Sequence, residues 1–168
     1  MGKLTRRGIG LLLAFIVTYF LAVSFHTLMV LRELQHLGVE MSFPIVMQSL
    51  RHDWGGMLTT YGMLIFVVLL VAFMGMSYLR RHINLWGIPL GRNIFPWSGA
   101  VALMLALLLM YPFLHITLIA GARGLLGMLL QGLAGFIGGL VYQHSVQWLR
   151  GRARHKARHR QQRNHRRI

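Results

Sequence analysis

The chain contains no cysteine. That absence excludes disulfides, thiolate catalysis and cysteine metal sites, and with them the four-helix thiol oxidoreductases. Acids are nearly absent too: Glu33, Glu40 and Asp53 stand against 18 Lys plus Arg, for a net charge of +15. A third absence matters most. The long apolar stretches hold no Asp, Glu, Lys or Arg away from their ends. Ion-coupled transporters and pumps usually need an ionisable group inside the membrane, and here only histidine is available. Small exporters that depend on a membrane glutamate are excluded on the same ground. The apolar runs also lack apolar/polar alternation, so a strand reading fails.

What remains is a chain that is 55% hydrophobic. Four apolar segments, about 9–31, 54–79, 97–119 and 124–148, are each long enough to cross a bilayer as a helix, some with tilt. In a soluble protein the positive charge would point to nucleic acid. Here it sits at the ends and in short gaps, which argues against a nucleic-acid partner and for a membrane setting. The fold expected is an all-α integral membrane protein, a four-transmembrane-helix bundle over 1–148 with a polybasic tail over 149–168. The amino end carries basic residues before an apolar run, as a signal peptide does. The run of 23 residues exceeds the roughly 7–15 of a signal peptide, so an uncleaved helix is expected. Arg6 occupies the Ser/Thr place of the myristoylation pattern and excludes it.

Charge sets the expected orientation. Lys3, Arg6 and Arg7 precede the first segment. The first loop, Arg32 to Asp53, holds two Arg and all three acids. The second loop holds Arg80, Arg81 and Arg92, and the third gap only Arg123. The tail holds nine: Arg150, Arg152, Arg154, Lys156, Arg158, Arg160, Arg163, Arg166 and Arg167. Basic excess marks cytoplasmic segments. Both termini and the second loop are therefore expected inside a bacterial inner membrane crossed several times. The tail has only Ala153, Ala157 and Ile168 as apolar residues, so it is not an amphipathic surface helix. It reads as a disordered topology signal resting on anionic lipid, at about 1 kcal/mol per basic residue, or touching a cytoplasmic partner.

The fourth segment places Gly124, Gly127, Gln131, Gly135 and Gly138 on one helical face, and Gly135 and Gly139 form a GxxxG pair. Small residues let helix backbones approach in lipid, and Gln131 at mid-depth needs a hydrogen-bond partner. The face is expected to pack within one bundle; a homo-oligomer seam and a glycine-lined pore are the alternatives. Pro112 should bend the third helix by removing an amide bond to Leu108. Gly121 and Gly124 should allow a tight hairpin with Arg123 at its tip. In the first loop, Ser42 as N-cap and Pro44 in the first turn predict a short interfacial helix, with Ile45, Val46, Leu50 and Trp54 facing lipid or the bundle and Gln48, Arg51 and His52 facing water. Trp54, Trp86, Trp97 and Trp148 fall where an aromatic belt would lie.

The candidate cofactor residues are His26 and His115. At 1.5 Å per residue both sit roughly 6–8 Å inside the same outer boundary, on two outward-running helices, so they are expected to meet in the interior. Two facing imidazoles could hold haem iron or a metal, with Thr27, Thr59 and Thr117 as nearby acceptors; the cofactor itself is not readable. The leading expectation is a non-catalytic accessory or structural membrane protein. The alternatives are a histidine-based haem or metal protein and a small-solute channel or transporter.

Overall fold

A computed structural model describes residues 2–85, 94–114 and 125–165, with backbone alone for 83–85, 110–114 and 154–165. The described chain is all helical: α1 (Lys3–His36), α2 (Phe43–Gly56), a π turn (Leu58–Gly62), α3 (Met63–Leu85), α4 (Ile94–Leu114) and α5 (Leu125–His165). Among the described residues, three stretches are long and apolar enough to cross a membrane: Lys3–His36, Leu58–His82 and Leu125–Ala153. α4 adds a shorter one, Ile94–Leu109. Helices suit such a setting because every backbone group is satisfied within the segment.

α5 lies at the centre of the packing, with α1 against one side and α4 against another. α1 presents a ladder of small residues to α5, with Gly10, Ala14, Thr18 and Ala22 all buried and four residues apart. Leu12, Leu13, Ile16, Phe20 and Leu28 point outward. The two helices run antiparallel. A methyl at Gly10 would meet Val146 Cγ2 at 2.8 Å, one at Gly138 would meet the Thr18 hydroxyl, and Gln131 bonds the Ala22 carbonyl. On its other side α5 meets α4. Gly99 and Gly135 face each other backbone to backbone, Gly139 sits against Phe95 and Pro96, and Gly132 sits against the Met104 side chain. The expected single glycine face is thus divided: Gly135 and Gly139 serve the α4 seam, Gly138 the α1 seam. The reason is geometric. At about 100° per residue, positions 135 and 138 lie some 60° apart around the helix, enough to address different neighbours. Gly127 is buried, and Gly124 lies outside the described residues.

Several expected boundaries change. α1 reaches Lys3 and His36 rather than stopping near 9 and 31, because nothing in its polar ends breaks a helix. Trp54 does not open the second span; it belongs to α2, and the apolar stretch begins at Leu58. Between them the chain makes a wider turn, with Met57 O accepting from Tyr61 N at 2.9 Å and from Gly62 N at 3.0 Å. That π turn shifts the helical phase and brings both Tyr61 and Gly62 inward. Ser42 is the N-cap of α2 and Pro44 lies in its first turn, but the Ser42 side chain makes no capping bond. α4 reaches Leu114; residues 115–119, the hairpin glycine Gly121, and Arg123 lie outside the described residues.

The largest correction concerns the tail, expected to be disordered. α5 continues through it without a break to His165. Arg, Lys, Gln and Ala are good helix formers. An existing helix extends without a new nucleation cost, and basic residues near a helix carboxyl end are favoured by the macrodipole. The helix is continuous across residues 148 and 149.

Candidate functional site

Two groups of side chains distinguish the ends of the bundle. The first is a polar ladder on the inner side of α1. Its Tyr19, Ser24 and Thr27 tie down the last turns of α2. The Tyr19 hydroxyl donates to the Trp54 carbonyl at 2.6 Å, and Trp54 Nε1 donates to Ser24 Oγ at 3.2 Å. Thr27 Oγ1 stands 3.0 Å from the Val23 carbonyl and 2.8 Å from Asp53 Oδ2. Asp53 Oδ1 lies 3.4 Å from His52 Nδ1, whose side chain is largely exposed. Deeper in, Tyr61 donates to Gln131 Oε1 at 2.7 Å, and Gln131 Nε2 donates to the Ala22 carbonyl at 2.9 Å. Gln131 thus finds the partners its depth demanded. These bonds hold α2 and the π turn to α1 and α5.

His26 belongs to this ladder. It is buried, on the inner side of α1, within electrostatic reach of Asp53. His115 lies outside the described residues, so the expected meeting of the two rings does too. Among the described residues no group of three or more His, Asp or Glu is placed to hold a metal ion. Of the four tryptophans, Trp54 is held in the ladder, Trp97 meets Phe136 edge-on at 5.3 Å, and Trp148 lies under the Arg152 guanidinium at 3.7 Å. Trp86 lies outside the described residues.

The second group is cationic. Lys3, Arg6, Arg7 and Arg150 border one cleft of 250 Å³ together with Val146. Arg7 also borders a larger groove of 640 Å³, with Arg80 and Arg81 on its rim. The basic residues of the amino end and of the end of α3, with Arg150 on α5, therefore converge on one end of the packed helices. Sequence reading placed these three segments on the same side of the membrane but had no means of bringing Arg7 beside Arg150 at one cleft and beside Arg80 and Arg81 at the other. Of the tail's other basic residues, Arg152 is exposed; Arg154, Lys156, Arg158, Arg160 and Arg163 follow the α5 backbone; Arg166 and Arg167 lie outside the described residues.

Sequence reading left two features undrawn, though each had a signal in the sequence. The Gly10, Ala14, Thr18, Ala22 ladder was legible as a small-residue repeat every four positions. The Tyr19 and Thr27 bonds were signalled only by the rule that a hydroxyl in an apolar helix needs a partner. No family model, curated protein or solved structure matches the chain.

Proposed function

We propose that this chain is a small, non-catalytic, multi-pass protein of a bacterial inner membrane that serves a larger membrane assembly as a structural or accessory partner. In this reading α1, α3, α4 and α5 are its four membrane helices, and α2 rests at the outer interface. The observation that carries the reading is the convergence of Lys3, Arg6, Arg7, Arg80, Arg81 and Arg150 on one end, while the three acids lie between residues 33 and 53. Such a basic end belongs in the cytoplasm. It would offer anionic lipid headgroups or an acidic partner a concentrated positive surface.

The interior supports a structural role. Tyr61 and Gln131 bond each other and Ala22, and the glycine seams on α5 close against α1 and α4. These polar groups are spent on holding helices together. Capture of the tagged chain from membranes in mild detergent tests the proposal. A membrane protein recovered in fixed proportion to the chain is the expected result. Stoichiometric iron, copper or zinc, or a haem spectrum, in the purified protein would replace the proposal with the histidine cofactor reading. Solute flux into liposomes carrying the chain alone would replace it with the channel reading.

A further inference from the structure

We propose that the groove between α1 and α3 at the basic end is a binding site for one acidic glycerophospholipid. Its phosphate is held by Arg7, Arg80 and Arg81, and an acyl chain lies along the apolar walls. This inference rests on the membrane placement proposed above.

The groove arises from how α1 and α3 diverge. α1 and α3 meet where Phe15 packs edge-on against Phe66 at 5.5 Å, just beyond the π turn whose Gly62 sits under the Tyr19 ring. Towards the basic end they part, and α3 is held instead to α5 by Phe73 stacked on Tyr142 at 4.4 Å. The space left between has a volume of 640 Å³, walled by Leu4, Leu11, Leu70 and Met74. Ligand clefts are typically roughly 300–1,000 Å³ and mostly apolar with a few placed polar groups.

Charge identifies the occupant's head. Three guanidinium groups border an apolar groove, and no carboxylate borders it with them. None is near in sequence either, since all three acids fall between residues 33 and 53. The amino end of α1 adds its dipole and lacks a capping side chain. The balancing anion must come from outside the chain. Guanidinium groups match phosphate oxygens two at a time, and basic pockets between membrane helices on the cytoplasmic side suit acidic headgroups. The walls identify the rest. Leu4, Met74 and Tyr78 on the groove's margin are 83%, 65% and 67% exposed. A soluble phosphate would leave that apolar surface bare, whereas an acyl chain covers it. A zwitterionic lipid would bring a further cation to three arginines.

Gly8 provides the test, because it lines the groove and a Cβ there meets nothing within 4 Å. Gly8→Leu fills the space without displacing a neighbour, and leucine is the better helix former. The full chain would be reconstituted in nanodiscs of equal parts phosphatidylcholine and phosphatidylglycerol, then released for native mass spectrometry. One phosphatidylglycerol retained per chain is expected. Retention should fall about tenfold or more in Gly8→Leu, and likewise in the triple variant R7Q/R80Q/R81Q, which loses charge-assisted bonds to phosphate. Gly75→Leu, on open α3 surface away from the groove, and the tail variant K156Q/R158Q/R160Q should retain the lipid. Unchanged retention in both Gly8→Leu and the triple arginine variant overturns the site. So does equal retention of phosphatidylcholine. Displacement by millimolar glycerol phosphate would show a soluble phosphate site and overturn the lipid. Both nanodisc leaflets carry the same lipids, so an inverted orientation or a missing protein partner would defeat the proposed function and leave the lipid count readable.

Discussion

Tyr61 donates its hydroxyl to Gln131 Oε1 over 2.7 Å, and both residues are buried. The same amide donates to the Ala22 carbonyl, so one glutamine links the π turn, α5 and α1. Tyr61→Phe leaves the amide oxygen buried without its donor. The expected loss is about 1 kcal/mol, with about 3 as an upper bound. Tyr61→Phe should cost less in a Gln131→Leu background than alone, because the amide oxygen it would orphan is already gone. Unfolding of the single and double variants in mixed SDS micelles measures the coupling. Strictly additive losses would mean the bond contributes nothing.

Gly135→Leu should be far more damaging than Leu133→Ala. Even a methyl at Gly135 would meet the Gly99 carbonyl and lie 2.9 Å from Leu103 Cδ1. Backbone on both sides leaves nothing that can rotate away. Leu133 is 45% exposed on another side of α5, so its truncation opens no interior cavity. Thermal melts in detergent should show a drop of many degrees, or no folded protein, for the first and a small shift for the second. Equal melting temperatures would contradict the α4–α5 seam.

Gly138 offers a compensation test on the α1 seam. A methyl there would collide with the Thr18 hydroxyl, while the Thr18 Cβ and the Ala14 carbonyl stand farther off at 3.2 and 3.4 Å. Among the described residues the buried Thr18 hydroxyl has no hydrogen-bond partner, so its removal sacrifices little. Gly138→Ala alone should destabilise the protein, by about 1–3 kcal/mol for overpacking. Thr18→Ala in the same chain should restore most of the loss. A double variant no more stable than Gly138→Ala would show that the hydroxyl is not the obstacle.

The lack of native cysteine makes the proposed orientation directly testable. Single cysteines at Val39, between α1 and α2, and at Gly151, on α5 beyond Arg150, occupy exposed positions. A membrane-impermeant maleimide should label Val39→Cys in intact cells with the outer membrane opened. Gly151→Cys should react only after the inner membrane is permeabilised. The reverse pattern would invert the bundle.

The existence of the long apolar helices was legible because length and hydropathy are local properties. The helix α2 was legible from Ser42, Pro44 and the spacing of Ile45, Val46, Leu50 and Trp54. The π turn was not. Nothing in Leu58 to Gly62 distinguishes a wide turn from an ordinary one until Tyr61 must reach Gln131 across the bundle. The helical tail was not legible because its lack of apolar surface was weighed, while its good helix formers and its attachment to an existing helix were not. The groove was invisible for a different reason. Arg7 and the Arg80–Arg81 pair are separated by more than seventy residues, and only the divergence of α1 and α3 brings them to one rim.

The sequence by itself determined an all-helical chain with stretches able to cross a membrane, its basic residues gathered beyond their ends, and a fourth segment built to let backbones approach. Those properties follow from composition and from a period of 3.6 residues, which needs no neighbour. Only the tertiary structure decided which helix each small residue meets: Gly135 and Gly139 against α4, Gly138 and Gln131 against α1. Helical periodicity gives the direction in which a residue points. What stands in that direction depends on how far the helices can close, and here that distance is set by the backbone contact of Gly99 with Gly135 and by the Thr18 hydroxyl lying over Gly138.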